Sequence, residues 1–168
     1  MPTAYTYFRF SSGSQAVGSS IIRQEQLVSE WLQRNPEYQL AQLGFIDRGR
    51  SGYSGVHLKY DLGRILEAIK AGEIKAGDAI LVEAIDRIGR LRPMEMFDLI
   101  SSITRDGVSV VTVEDGKIYS QENLNNDTSA LFVLAGKVQQ AHEYSKDSLI
   151  VSERATKRKR AEAKKVTL

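Results

Sequence analysis

Residues 79–85 read AILVEAI, and the polar string DRIGR follows at once over residues 86–90. A continuous apolar run opened by a turn pair, here Gly77-Asp78, is the pattern of a strand buried on both faces. Such a strand belongs in a parallel sheet with helices on both sides. The flanks agree. Residues 59–71 (KYDLGRILEAIKA) predict an amphipathic helix before it. Pro93 to Arg105 predicts one after it, with Pro93 in the first turn and Glu95 beyond. Gly107 then opens a second buried strand, VSVVTV. Towards the N-terminus, AYTYFRF (4–10) reads as a strand running into the loop SSGS. Ile21, Ile22, Leu27, Val28, Trp31 and Leu32 recur at helical spacing over 20–34, and Leu40 to Ile46 predicts a short strand. Strands alternate with helices four times. The expected class is therefore α/β, with a largely parallel four- or five-stranded sheet flanked by helices. Residues 116–126 are polar and read as loop. From Asp127 a helical pattern runs nearly to the end, about 35 residues or about 50 Å. This divides the chain into a body, 1–126, and a long C-terminal helix, 127–168.

The 168 residues are 42% apolar and 26% charged, a globular balance that supports one domain with a real core. The absence of cysteine excludes disulfide scaffolds, Cys-ligated zinc, iron–sulfur clusters and thiol catalysis. Two histidines, His57 and His142, argue against a His-rich catalytic metal site, so neither metal nor cofactor is expected. No stretch approaches the roughly 18 apolar residues of a membrane span. MPTAYTYFRF also lacks the basic and apolar regions of a secretory signal, so a cytoplasmic protein without a membrane partner is expected. The net charge of +2 hides an asymmetry. Of 23 basic and 21 acidic residues, 7 and 1 fall in residues 154–165, leaving 16 against 20 and a net of −4 elsewhere. The seven are Arg154, Lys157, Arg158, Lys159, Arg160, Lys164 and Lys165. A basic end of this kind fits nucleic acid, and equally a solvated helix end whose cations suit the negative end of the helix dipole.

Three polar motifs fall at the C-terminal ends of expected strands, where open α/β sheets bind ligands. Alternation puts Arg9 and Ser11 on one face of the first strand, with Phe10 on the other. A hydroxyl beside a guanidinium there is either a nucleophile next to an anion clamp or a turn serine next to a surface arginine. In the second motif, Arg87 and Arg90 are three apart, so a helical turn aims both one way. Arginine forks match phosphate oxygens, and Asp86 orients them or exchanges a proton. A helix-start ion pair is the simpler reading of that motif alone. The third is the Gly/Ser loop Asp47 to Gly55, whose spacing is neither a dinucleotide fingerprint nor a Walker loop. Beyond it, Lys59 is placed to reach back as a further cation. One serine, three arginines and a carboxylate on one rim, without Cys, His or metal ligands, make a phosphodiester-handling site.

The order FRFSSGSQ, RQ, DRGRSG, AIDRIGR, HEYSKDS is similar to the catalytic domain of the serine recombinases, the resolvase, invertase and large serine integrase superfamily, over essentially the whole chain. The opening signature Arg-x-Ser-[Ser/Thr]-x-x-Gln is matched by Arg9, Ser11, Ser12 and Gln15. Gln24 stands where a second family glutamine falls. Asp47 matches the aspartate ending the second strand, with Ser51-Gly52 as the family's Ser-Gly. Asp86 to Arg90 match Asp-Arg-[Leu/Ile]-Gly-Arg, and Glu143 matches a glutamate early in the last helix. Lys59 departs from the pattern, because most members have an active-site arginine there. Lysine keeps the charge but loses the fork, so either Lys59 substitutes or Arg64 intrudes. Tyr144 stands where resolvases carry arginine, which brings the EYSKDS spacing closer to the large serine recombinases.

The resemblance implies a resolvase-like fold and a metal-independent DNA strand transferase. Ser11 attacks a phosphodiester, Arg9, Arg87 and Arg90 with Lys59 stabilise the phosphoryl oxygens, and Asp86, Gln15, Gln24, Asp47 and Glu143 support them. It also implies double-stranded DNA as partner, a homodimer on each site and a tetramer in the synapse. Members carry a separate C-terminal DNA-binding domain, expected to be missing from this chain. The first part of the long helix carries the stripe Leu131, Leu134, Val138 and Ala141, and one end of the helix can pack on the body while the other must find a partner. The helix is then the dimer element, with contacts expected along its middle, and its basic end crosses the DNA. Two other readings of the residues stand beside this: a non-catalytic DNA-binding module of the same fold, and an unrelated α/β phosphodiesterase.

Overall fold

The computed structural model of the chain describes residues 1–9, 14–47, 62–88 and 91–166. Its strands are β1 (Thr3–Arg9), β2 (Gln39–Leu40), β3 (Phe45–Asp47), β4 (Ala79–Val82), β5 (Ser109–Thr112) and β6 (Lys117–Tyr119). They form one sheet in the order β2-β1-β4-β5-β6, with β3 also on β1. Every pairing is parallel except β5 with β6. β2 pairs with the start of β1 and β3 with its end, so the two are halves of one edge strand. The result is the expected largely parallel sheet with five strand positions. The helices are α1 (Ser14–Arg34), α2 (Leu62–Lys70), α3 (Ile85–Ile88), α4 (Pro93–Arg105), α5 (Gln121–Asn126) and α6 (Thr128–Val166).

The apolar run that decides the fold behaves as its pattern requires. All four residues of β4 are buried. Ala79 and Leu81 pack with Val28 and Trp31 of α1, together with Ala4, Val111 and Val113. Ile80 and Val82 face the other way, into the larger cluster with Leu62 and Ile65 of α2, Ile100 and Ile103 of α4, and Leu134 and Val138 of α6. Period-two alternation thus feeds two cores from one strand. The α4 helix spans the expected Pro93–Arg105, with Pro93 opening it and the Glu95 carboxylate accepting from the Arg92 backbone N–H at 3.1 Å.

Three expectations are corrected. First, β4 ends at Val82 rather than continuing to Ile85. Ile85 and Ile88 lie three apart, so one helical turn buries both while its polar residues face outward. Second, Leu40 to Ile46 is not continuous. Between Leu40 opposite Ala4 and Phe45 opposite Tyr7 the edge has two more residues than β1, so the pairing breaks there, and Gly44 passes so near β1 that a Cβ would meet Thr6 Oγ1. Third, residues 116–126 are ordered structure. Gly116, at φ +68°, completes the turn that lets β6 fold back on β5. Asp115 Oδ1 accepts from Lys117 N at 3.1 Å, and Ser120 Oγ accepts from Asn123 N at 3.1 Å to cap α5.

The long helix forms as expected. At 39 residues it spans about 58 Å. Asp127 caps its start, accepting from Ser129 N at 2.9 Å and from the Ser129 hydroxyl. These hydrogen bonds, with one from the Ala130 backbone, hold its carboxyl below the usual aspartate range. The first part of its apolar stripe packs on the chain's own body, where Leu134 and Val138 are buried in the main core. Beyond that contact, every described side chain from Glu143 onward is exposed. Leu134→Ala should therefore destabilise the body itself by about 2–5 kcal/mol through the cavity it leaves. Urea unfolding at two protein concentrations checks this: the loss should be the same at both, whereas a concentration-dependent loss would return Leu134 to an intermolecular contact.

Candidate functional site

The C-terminal ends of β1, β3 and β4 lie side by side. The parallel register sets Arg9 opposite Asp47, and Tyr7 opposite both Phe45 and Val82. The chain leaving β4 then folds into α3. Ile85 and Ile88 are its anchors, 3% and 2% exposed, and the two residues between them are the polar pair Asp86 and Arg87. The isoleucines of the string thus fix the short turn in the core, and the turn carries the charges on the rim. Arg9 reaches across from β1, its Nη1 donating to the Asp86 carbonyl at 3.4 Å. Arg87 Nε lies 3.9 Å from Asp86 Oδ2.

Beneath this rim lies a carboxylate that the motifs do not include. Glu83 directly follows β4 and is 6% exposed. Its Oε1 pairs with Arg23 of α1, and its Oε2 faces Arg87 Nε at 3.4 Å. The signal in the sequence is a single acid inside an otherwise apolar run. A buried carboxylate is costly unless cations meet it, so Glu83 implies basic partners, whose identity only the fold reveals.

The other expected residues are placed unequally. Gln24 is buried on α1, with its Nε2 donating to Ser20 O at 3.2 Å and Ser20 Oγ at 3.0 Å, while its Oε1 accepts no hydrogen bond among the described residues. Gln15 and Asp47 lie in α1 and β3, but their side chains are outside the described residues, as are those of Lys164 and Lys165 in α6. Ser11, Lys59 and Arg90 lie outside the described residues altogether. Arg64 of α2 stands 6.0 Å over the Phe45 ring, a cation–π contact two residues before Asp47. Glu143 is exposed on α6 and accepts from Gln139 Nε2 at 2.9 Å. Among the described residues no hydrogen bond or ion pair joins it to Asp86 or Arg87.

α6 borders the rim one turn earlier. A groove of about 300 Å³ runs between Ala84, Ile85 and Asp86 on one side and Lys137, Gln140 and Ala141 on the other, with Glu114 at its edge. Lys137 pairs with Asp115, which also accepts from Thr112 Oγ1, so this part of α6 is tied to the β5–β6 turn. The basic run further along is exposed at each described residue, and Arg158 Nε contacts Glu162 Oε1 at 3.2 Å. Among the described residues there is no group of three metal-ligating side chains, and no helix is long and apolar enough to cross a membrane. A cluster of guanidiniums held by carboxylates at the end of parallel strands can bind a tetrahedral anion and stabilise charge that develops on it.

Comparison with known proteins gives this geometry a context. The family model described as the resolvase N-terminal domain matches residues 4–166. An uncharacterized Escherichia coli K12 protein, YbcK, is 35% identical over 132 residues, which is 78% of this chain and 26% of that protein. The chain thus spans about a quarter of the length of that curated relative. Among solved structures, a resolvase family site-specific recombinase from Streptococcus pneumoniae superposes with a TM-score of 0.58 at 20% identity, over 94% of this chain and 99% of that one. The N-terminal catalytic domain of TP901-1 integrase superposes at 0.55 and 16% identity, over 86% and 97%. At these identities the two structures speak for the fold.

If the two isoleucines anchor the rim, Ile88→Ala should loosen α3 before it unfolds the sheet. Amide exchange at residues 85–88 should rise strongly while β4 and β5 stay protected, with a global loss of about 2–5 kcal/mol. Unchanged exchange over 85–88 would mean that the turn is held by something else.

Proposed function

The chain belongs to the resolvase N-terminal domain family, and we propose that it is the catalytic domain of a site-specific DNA recombinase that cuts and rejoins strands through a serine–phosphate link. The observation that carries this reading is the strand-end cluster, in which Arg9, Asp86 and Arg87 come together from β1 and α3. Ser11 follows Arg9 by two residues in sequence. Its Oγ attacks the phosphorus of a DNA phosphodiester. The Oγ–P bond forms, the P–O3′ bond breaks, the hydroxyl proton leaves, and the departing 3′-oxygen takes up a proton. The products are a 5′-phosphoserine and a free 3′-hydroxyl. Attack by a 3′-hydroxyl on the phosphoserine reverses the step and rejoins a strand. One ester replaces another, so no nucleotide cofactor is consumed.

Charge gathers on the phosphoryl oxygens during transfer and must be met by preorganised donors. Arg9, Arg87 and Arg90, with Lys59, supply them here, in place of a metal ion. Asp86 holds Arg87 and is the carboxyl available to protonate the leaving oxygen. Gln15, Gln24, Asp47 and Glu143 support this centre. The partners are double-stranded DNA and further copies of the chain: a dimer on each site and a tetramer when two sites are joined. The body, residues 1–126, performs the chemistry. The helix of 127–168 reaches beyond it with exposed cations at Arg154, Lys157, Arg158, Lys159 and Arg160, and Lys164 and Lys165 extend the run.

Two experiments test this. A random-sequence duplex pool incubated with the protein in EDTA should yield a denaturation-resistant protein–DNA adduct. Ser11→Ala should abolish it without loss of folding, and replacing Arg9, Arg87 or Arg90 by Lys should slow it by about 10²–10³-fold. Adduct at the wild-type rate in Ser11→Ala, or a strict Mg²⁺ requirement, contradicts the mechanism, and absence of any wild-type adduct favours a non-catalytic DNA-binding module. Separately, ending the chain after Glu153 removes the seven cations and should weaken binding to the same pool. The salt dependence should become shallower, by about 0.9 in log–log slope for each phosphate no longer neutralised. Equal slopes for the two lengths would make the run a solvated helix end.

A further inference from the structure

We propose that Glu83 is a positioning residue for the phosphate clamp: its charge draws the Nε edge of Arg87 towards itself and so leaves the two terminal nitrogens for the scissile phosphate. This rests on the reading of Arg87 as a phosphate ligand. The first support is placement. Continuing the alternation of β4, Glu83 falls on the face of Ala79 and Leu81, the face that α1 covers. Arg23 arrives from that helix to meet Oε1. The carboxylate therefore joins three pieces of the site: the strand end that leads into α3, Arg87 of that turn, and the helix that begins three residues after Ser11.

The second support is which atoms are used. Arg87 faces Glu83 through Nε at 3.4 Å and Asp86 through Nε at 3.9 Å. Nε is thus the nitrogen that both carboxylates meet. A guanidinium drawn by that edge keeps the other for a bidentate contact, the geometry that phosphate oxygens match. Oε2 accepts no hydrogen bond among the described residues, so charge attraction rather than a directed bond sets this distance.

The third is the poor case for a purely structural role. Removing a carboxylate from water costs more than an ion pair commonly returns, and apolar side chains of similar volume often serve stability equally well. Glu83 sits in an apolar run where such a residue would fit the pattern. Its negative charge also opposes an anionic substrate. The carboxylate thus works against DNA affinity while fixing the pose of a catalytic cation, and removing it should separate the two effects.

The test compares wild type, E83Q, E83D, R87K and the double variant E83Q/R87K on the random-sequence duplex pool. Cleavage rate at saturating protein and equilibrium binding are measured separately, and the Arg87 Nε–Hε signal is followed by nuclear magnetic resonance. E83Q removes the charge. E83D keeps it but draws it back by roughly 1 Å, a misplacement that costs about 10²-fold in a preorganised site. Both variants should cleave about 10–10²-fold more slowly, and E83Q should bind DNA as tightly as wild type or more tightly. The Arg87 Nε–Hε signal should move towards that of solvent-exposed arginines in E83Q. E83Q/R87K should be no slower than R87K alone, because Glu83 acts through Arg87. Should E83Q fail to fold, E83D carries the same comparison. Wild-type cleavage in a folded Glu83 variant with an unmoved Arg87 signal overturns the inference, as does a full additional loss in the double variant. A slow R87K alongside either result leaves the phosphate-clamp reading intact, whereas a wild-type rate in R87K removes that reading itself.

Discussion

A strand with apolar side chains on both faces has no side left for water, and its polar continuation can surface only at its end. Burial of Ala79, Ile80, Leu81 and Val82 between two helical layers is the constraint on which the rest of this molecule depends. It makes β4 central, with β1 and β5 as parallel neighbours on its two sides. It brings α1 to one face and α2, α4 and the start of α6 to the other. Each fully buried side chain of this size is worth roughly 1.5–3 kcal/mol relative to exposure, so displacing the strand by one residue, which exchanges the two faces, is strongly disfavoured. The charged residues after Val82 are thereby delivered to a fixed place beside the end of β1.

Electrostatics at that place are balanced before any ligand arrives. Glu83 and Asp86 lie against Arg87, Glu83 also meets Arg23, and Arg9 donates to the backbone of Asp86. Cations crowded without such acids would repel one another and be disordered by solvent. The acids hold them, at the cost of part of their attraction for an anion. The body as a whole is acidic and the C-terminal run basic. Under the proposed function, affinity for a polyanion and the handling of one phosphate would fall to different parts of the chain: the basic helix end for the duplex, and the rim for a single linkage.

What is legible in the sequence follows from how local each signal is. β4, α4 and the positions of Arg9, Asp86 and Arg87 at strand ends are readable because periodicity and a proline start depend on near neighbours. The end of β4 is not, because Ile85 continues an apolar run while serving a helical turn, and only its pairing with Ile88 in the core distinguishes the two. β6 and α5 escape pattern reading because a three-residue strand and a six-residue helix carry too few apolar residues for a period. Their cues are Gly116 and the Ser120 cap. The split of the edge strand depends on its register against β1, far away in sequence. Glu83 illustrates the general limit: its acid is visible, but its partner Arg23 lies 60 residues earlier. The stripe on α6 is apolar as its spacing indicates, and its Leu134 and Val138 pack on the chain's own body, because a helix that outreaches a body still begins by packing on it.

The central claim is that Ser11 becomes covalently joined to DNA without a metal ion. The most direct measurement is mass spectrometry of the peptide that carries DNA after incubation with duplex in EDTA, denaturation and digestion by protease and nuclease. The account predicts a nucleotide joined through its 5′-phosphate to Ser11, with a free 3′-hydroxyl on the complementary product. A nucleotide on any other residue, or 5′-phosphate ends released to water with no modified peptide, would contradict it.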